Sequence, residues 1–153
     1  MSLLNDRLTR GFMAGLIGYI PLTIFNQSMY FLKISKLRYL DFASVFIYGH
    51  KCTSTLEALF SYFVTMFFTS ALGIIFAFLI PTISNRNIVF KGFLFSSGSW
   101  FLIYAVTILF KISEVSNVDL LTAISNLMGA AVWGIALGYA LLWLDKKGKQ
   151  KSR

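Results

Sequence analysis

Asp41, His50, Lys51, Cys52 and Glu57 bring the chain's one histidine and one cysteine together with a base and two carboxylates. An imidazole titrates near neutral pH, and a free thiol is open to oxidation. A metal site needs three or four ligands at settled spacing, and His50-x-Cys52 with two remote carboxylates falls short of that. Simpler roles compete for the same groups. Asp41 can pair with Arg38 or Lys51. Ser54-Thr55-Leu56-Glu57 has the capping-box spacing, in which Glu57 reaches back to a free amide at a helix start. No nucleophile elbow, phosphate loop or dinucleotide fingerprint occurs along the chain. The residues therefore predict no cofactor, no metal and no catalytic constellation, and Asp41, His50 and Glu57 are kept as a candidate titratable cluster.

A second set is polar but uncharged. Asn26, Gln27, Thr65, Thr69, Thr107, Ser125 and Asn126 all fall inside long apolar runs. Asn26, Gln27, Thr65 and Asn126 could line a small polar cavity. The favoured reading is that they join helices by hydrogen bonds, worth about 0.6 kcal/mol each inside a membrane. No Asp, Glu, Lys, Arg or His lies in the middle of an apolar run. Proton relays and ion-coupled carriers rely on such residues, so the pattern argues against that class.

The elements that must carry these residues are long and apolar. Of the 153 residues, 57% are hydrophobic, 17% aromatic and 13% charged, against about 25% charged in a soluble domain. Four apolar runs are each long enough to cross a bilayer, at about residues 11–32, 56–80, 88–110 and 119–144. The expected fold is an all-α integral membrane bundle of four transmembrane helices over residues 1–145, followed by a basic, disordered cytoplasmic tail at 146–153. Residues 37–50 are too apolar for an ordinary loop and too short to cross. They predict a short interfacial helix with Tyr39 and Tyr48 at headgroup depth. Pro21 predicts a kink in the first span, and Pro81 is expected to close the second. Ser116-Asn117-Val118-Asp119 repeats the capping-box pattern ahead of the fourth.

Small residues predict how the spans meet. Gly134 and Gly138 form a G-x-x-x-G pair, and Gly11, Gly15 and Gly18 give the first span a similar face. In lipid, helices associate through close packing that small residues allow. The expectation is that these two faces pack on each other, with the fourth helix as the central post. Arg10-Gly11-Phe12 and Lys91-Gly92-Phe93 open the first and third spans, and Phe31-Leu32-Lys33-Ile34-Ser35 and Leu109-Phe110-Lys111-Ile112-Ser113 close them. This similarity suggests two parallel hairpin repeats. Ser96, Ser97, Gly98 and Ser99 are read as a further packing patch.

The net charge of +8 comes from basic residues between and beyond the apolar runs, a topology signal rather than a nucleic-acid one. The side holding both termini carries Arg7, Arg10, Arg86, Lys91, Lys146, Lys147, Lys149, Lys151 and Arg153. The other carries Lys33, Lys36, Arg38, Lys51 and Lys111. The excess places both termini in the cytoplasm by the positive-inside rule. The expected partners are the lipid bilayer, anionic lipid at the tail, and a second copy or another membrane protein.

Leu40-Asp41-Phe42-Ala43, Tyr48-Gly49-His50-Lys51, Leu72-Gly73-Ile74-Ile75-Phe76-Ala77 through Pro81, and Lys91-Gly92-Phe93 with Trp100-Phe101 carry a resemblance. Over roughly residues 10 to 140 the chain resembles a group of uncharacterised four-span membrane proteins of Gram-positive bacteria. That resemblance implies a bacterial plasma membrane protein and carries over no functional residue. Two expectations about function follow. One is a structural or accessory membrane subunit. The alternative is a small permease or channel subunit for a neutral or polar solute.

Overall fold

The computed structural model describes residues 6–84 and 86–150, and they are helical almost throughout. In chain order the helices are α1 (Arg7–Phe31), α2 (Tyr39–Tyr48), α3 (Thr55–Ile83), α4 (Ile88–Leu109), α5 (Ser113–Ser116) and α6 (Leu120–Gln150). α1, α3, α4 and α6 are long and apolar enough to cross a membrane, while α2 is a shorter apolar helix. Their outer surface is apolar too. Leu56 is 79% exposed, Leu109 77% and Phe31 74%. Surfaces like this are tolerated in lipid and not in water, so the architecture is that of a multi-pass membrane protein.

The helix ends follow from local chemistry. α1 begins four residues before the expected Gly11 because Asp6 caps it, accepting from the amides of Leu8 at 3.3 Å and Thr9 at 3.0 Å. Those bonds, that of the Thr9 amide first, hold the Asp6 carboxyl below its usual pKa. Its cap is therefore present above the ordinary carboxylate value and is lost as pH falls through the lower folded one. At α3, Ser54 Oγ accepts from the Glu57 amide at 3.2 Å, as the capping box requires. The Glu57 carboxylate reaches one residue further back than expected, accepting from the Thr53 amide at 2.8 Å. Ser116 does not open α6. It ends α5, and the Asp119 carbonyl accepts the first helical bond from Ala123 at 3.0 Å.

α1 and α4 stop in the same way. Lys33 (φ 59°) and Lys111 (φ 50°) both turn left-handed. The next amides, of Ile34 and Ile112, bond back to the carbonyls of Met29 and Thr107, each at 3.0 Å. This cap satisfies carbonyls that the helix end would leave bare.

Two further expectations are corrected. Pro81 does not close α3, which continues to Ile83. Proline lacks an amide hydrogen and so leaves the carbonyl four residues earlier without its helical partner. That carbonyl belongs to Ala77, and the Arg7 Nε donates to it at 2.7 Å. The tail also differs from the expected disordered segment: α6 runs unbroken past 145 to Gln150, with the Lys147 ammonium 3.8 Å from the centre of the Trp143 ring. Residues 151–153 lie outside the described residues. Arg7→Leu is expected to cost roughly 1.5–3 kcal/mol of stability in detergent, the value of a charged hydrogen bond. Pro81→Ala should make that loss smaller, because alanine supplies the missing amide. Equal losses in both backgrounds would remove Ala77 from the explanation.

The glycine faces pack, but not on each other. A Cβ at Gly11 would stand 2.8 Å from Ala77 Cβ and Ile74 Cα of α3, and one at Gly15 2.7 Å from Ser70 Cα. Gly73 faces both glycines from the α3 side. Gly134 and Gly138 instead meet α4, where Gly92, Ser96 and Val89 lie against them. Gly18 alone of the first-span glycines faces α6, beneath the Trp133 ring. The physical reason is that backbone contact needs small residues on both helices. α3 supplies Ser70, Gly73 and Ala77 to α1, and α4 supplies Gly92 and Ser96 to α6, whereas α6 turns Trp133 toward α1. Each hairpin thus closes on its own glycine crossing, with Gly11 and Gly73 in one matching Gly92 and Gly134 in the other. α6 is not a lone central post: α1 packs along both α3 and α6, just as α6 packs along both α1 and α4. By contrast α3 and α4, although joined by residues 84–87, barely touch.

Candidate functional site

The polar residues of the spans converge on Asn126, which is fully buried in α6. Asn26 of α1 is also buried, and its Nδ2 donates to Asn126 Oδ1 at 2.9 Å. Asn26 Oδ1 accepts the Tyr39 amide at 2.9 Å, one of the free donors at the start of α2. The Tyr39 hydroxyl donates to the Asn126 carbonyl at 2.6 Å. Asn126 Nδ2 donates to the Tyr104 hydroxyl of α4 at 2.9 Å. One asparagine thus links α1, α2, α4 and α6, with both ends of its side-chain amide engaged.

The neighbouring residues extend the pattern. Gln27 Oε1 accepts from the Tyr62 hydroxyl at 2.7 Å, and the Tyr19 hydroxyl donates to the Tyr62 carbonyl at 3.0 Å, tying α1 to α3. Thr65 is buried, but its hydroxyl donates to the Ser61 carbonyl of its own helix at 2.7 Å. The space left among Asn26, Gln27, Tyr39, Tyr62 and Thr65 is about 10 Å³, room for about one water. Asn26, Gln27, Thr65 and Asn126 are therefore neighbours, as their depths imply. Tyr39 and Tyr104 are partners that the expected polar set did not include. Tyr39, expected at headgroup depth, turns its hydroxyl inward to Asn126. Its position as the first residue of an apolar helix close to Asn26 in sequence was the available signal.

Asp41, His50 and Glu57 are engaged separately. Asp41 is 2% exposed and pairs with Arg38, whose Nη2 lies 3.0 Å from Oδ1 and whose amide donates to Oδ2 at 2.7 Å. His50 is exposed and stacks on Tyr48, with ring centres 5.9 Å apart. Glu57 caps α3 as described, and Cys52 Sγ lies 3.6 Å from Ser61 Oγ. Among the described residues, no group of three or more His, Cys, Asp and Glu side chains is placed to hold a metal ion. Glu57→Gln is expected to leave the unfolding temperature nearly unchanged, since glutamine also completes a capping box. Loss of a cellular function with intact folding in that variant would promote the cluster to a site.

Ion pairs fasten the helix ends. Arg10 and Asp145 pair at 3.0 Å and join the start of α1 to the end of α6. At the opposite end the Lys36 amide donates to Thr122 Oγ1 at 2.9 Å, and that hydroxyl donates to Asp119 at 2.6 Å. The Thr122 hydroxyl is the main reason that the Asp119 carboxyl sits below its usual pKa.

A mainly apolar space lies elsewhere. A cavity of about 460 Å³ lies between α3 and α4, with Leu72, Trp100 and Trp133 on its walls and Phe42, Ala43 and Phe46 of α2 across one end. The chain matches no model of a known protein family, no curated protein and no solved structure.

Proposed function

We propose that this chain is a non-enzymatic membrane protein of the bacterial plasma membrane that serves as a structural or accessory subunit. The observation that carries the reading is the Asn126 network. Asn26, Tyr39, Tyr104 and Asn126 spend their hydrogen bonds on joining α1, α2, α4 and α6, and the space between α3 and α4 is walled mainly by apolar side chains. That arrangement favours a rigid body that presents an apolar exterior to lipid and to other membrane proteins over a path for a polar solute. Purification from native membranes in mild detergent tests it, and a second copy or another membrane protein is expected to co-purify in fixed ratio. Purified chain that moves neutral or polar solutes across liposomes by itself would favour the permease alternative.

The same reading puts both termini in the cytoplasm, from nine basic residues on their side against five on the other. Reporter fusions after residue 153 and within 84–87 should both read as cytoplasmic, and an external signal from either would reverse the topology. The basic end of α6 then faces the inner leaflet, where each lysine draws anionic lipid with about 1 kcal/mol.

A further inference from the structure

The bundle has one open side. α1 lies along α6, but the corresponding pair in the two-hairpin arrangement, α3 and α4, stands apart. The 460 Å³ cavity fills that gap, from mid-span at Leu72, Ser96 and Trp133 to its roof on α2. The five hydroxyls on its wall are already used, that of Tyr39 by the Asn126 carbonyl. Ser96 donates to the Phe93 carbonyl, Ser99 to Phe95, Thr65 to Ser61 and Thr69 to Met66. Among the described residues the Trp100 Nε1 has no partner, but that atom is itself buried. The cavity therefore offers an occupant apolar contact and no accessible donor.

Size and place select the occupant. An apolar space of this kind does not hold water, and left empty it would forfeit the dispersion contacts of its whole lining. A transmembrane helix is about 10–12 Å across with its side chains, too wide for this volume, and α2 blocks one end. The volume lies in the range of small-ligand sites, roughly 300–1,000 Å³. At mid-bilayer the apolar molecule at hand is lipid. We propose that the α3/α4 cavity holds one acyl chain of a glycerophospholipid, which enters sideways between the two helices from the leaflet on the α2 side. The inference requires only that the chain spans a bilayer, so it stands apart from the subunit reading.

The three tryptophans of the chain make this testable. Trp133 is only 3% exposed, yet it lines the cavity. The variant Trp100→Phe/Trp143→Phe leaves it as the sole indole. In vesicles of phosphatidylcholine brominated at mid-chain, its emission should fall at least twofold relative to the same lipid without bromine. Ala43→Phe and Ser99→Phe, each filling the cavity, should restore most of that emission. Emission unaffected by bromine would overturn the proposal, and so would quenching of equal depth in the filled variants. Emission recovered by raising the protein density in the vesicles would also overturn it, because a second copy would then be covering the seam. If the filled variants do not fold, native mass spectrometry of the unaltered protein taken from phosphatidylcholine vesicles decides. One phospholipid retained per chain is expected, and none would overturn the proposal.

Discussion

Gly134→Leu is expected to leave little folded protein. Gly134 has no side chain because the Gly92 backbone and the Ser96 side chain already occupy that space. A leucine must push α4 away along its length, and the close packing that holds helices together in lipid is lost with it. The expected loss is at least about 4–5 kcal/mol, at the exceptional end for a single substitution. Gly73→Leu should do the same to the other hairpin, where Gly15 Cα stands 2.9 Å from where its Cβ would be. Gly98→Leu is the control. Among the described residues nothing lies within 4 Å of a Cβ there, so it should be neutral or mildly stabilising, by up to about 1 kcal/mol, because glycine is a poor helix former. Thermal unfolding and gel filtration in detergent separate these outcomes. Wild-type stability for both Gly73→Leu and Gly134→Leu would mean that the helices do not touch there.

Asn126→Leu is the second large effect. It strips partners from the Asn26 amide and the Tyr104 hydroxyl. A buried polar group left unpaired costs about 1–3 kcal/mol, so two of them predict roughly 2–6 kcal/mol. Asn26→Leu should relieve part of that loss when combined with it, because the orphaned amide is then gone. The two substitutions share one bond and should be non-additive by about 0.5–3 kcal/mol. Thr65→Val makes the contrast. Its hydroxyl serves only its own helix, and such back-bonding adds little to helix stability. A change below about 0.5 kcal/mol is expected, as for substitutions away from such features. Full additivity of the two asparagine changes would dissolve the network as a unit.

The helices were legible in the sequence because their signals are local. Apolar length marks each span, Ser54 and Glu57 mark the start of α3, and the repeated Leu-Lys-Ile-Ser and Phe-Lys-Ile-Ser closings foreshadow the paired left-handed caps at Lys33 and Lys111. What the sequence hid is choice of neighbour. Gly11, Gly15, Gly134 and Gly138 announce close packing, but a glycine face does not say which glycine face it meets. That depended on Gly73, Ala77 and Gly92, which look ordinary inside α3 and α4, whereas Ser96 belongs to the small-residue patch expected to pack and does lie against Gly134. Pro81 misled for a related reason. A proline normally ends a helix, but here Arg7, seventy residues from Ala77, takes up the Ala77 carbonyl that it leaves free. Asn26 and Asn126 stood out as polar residues in apolar runs. Their meeting at Tyr39 and Tyr104 needed the fold, since the Asn26–Asn126 bond joins residues a hundred positions apart.

Each hairpin closes on its own glycine crossing, α1 on α3 and α6 on α4. Cysteine cross-linking in native membranes tests it most directly, in a Cys52→Ser background free of other thiols. Gly11→Cys with Ala77→Cys should cross-link rapidly under mild oxidation, since those positions face each other across α1 and α3. Gly11→Cys with Gly138→Cys should not, because Gly138 lies against Val89 of α4. Cross-linking of the Gly11 and Gly138 pair, with none between Gly11 and Ala77, would contradict the account and put the two glycine faces on each other.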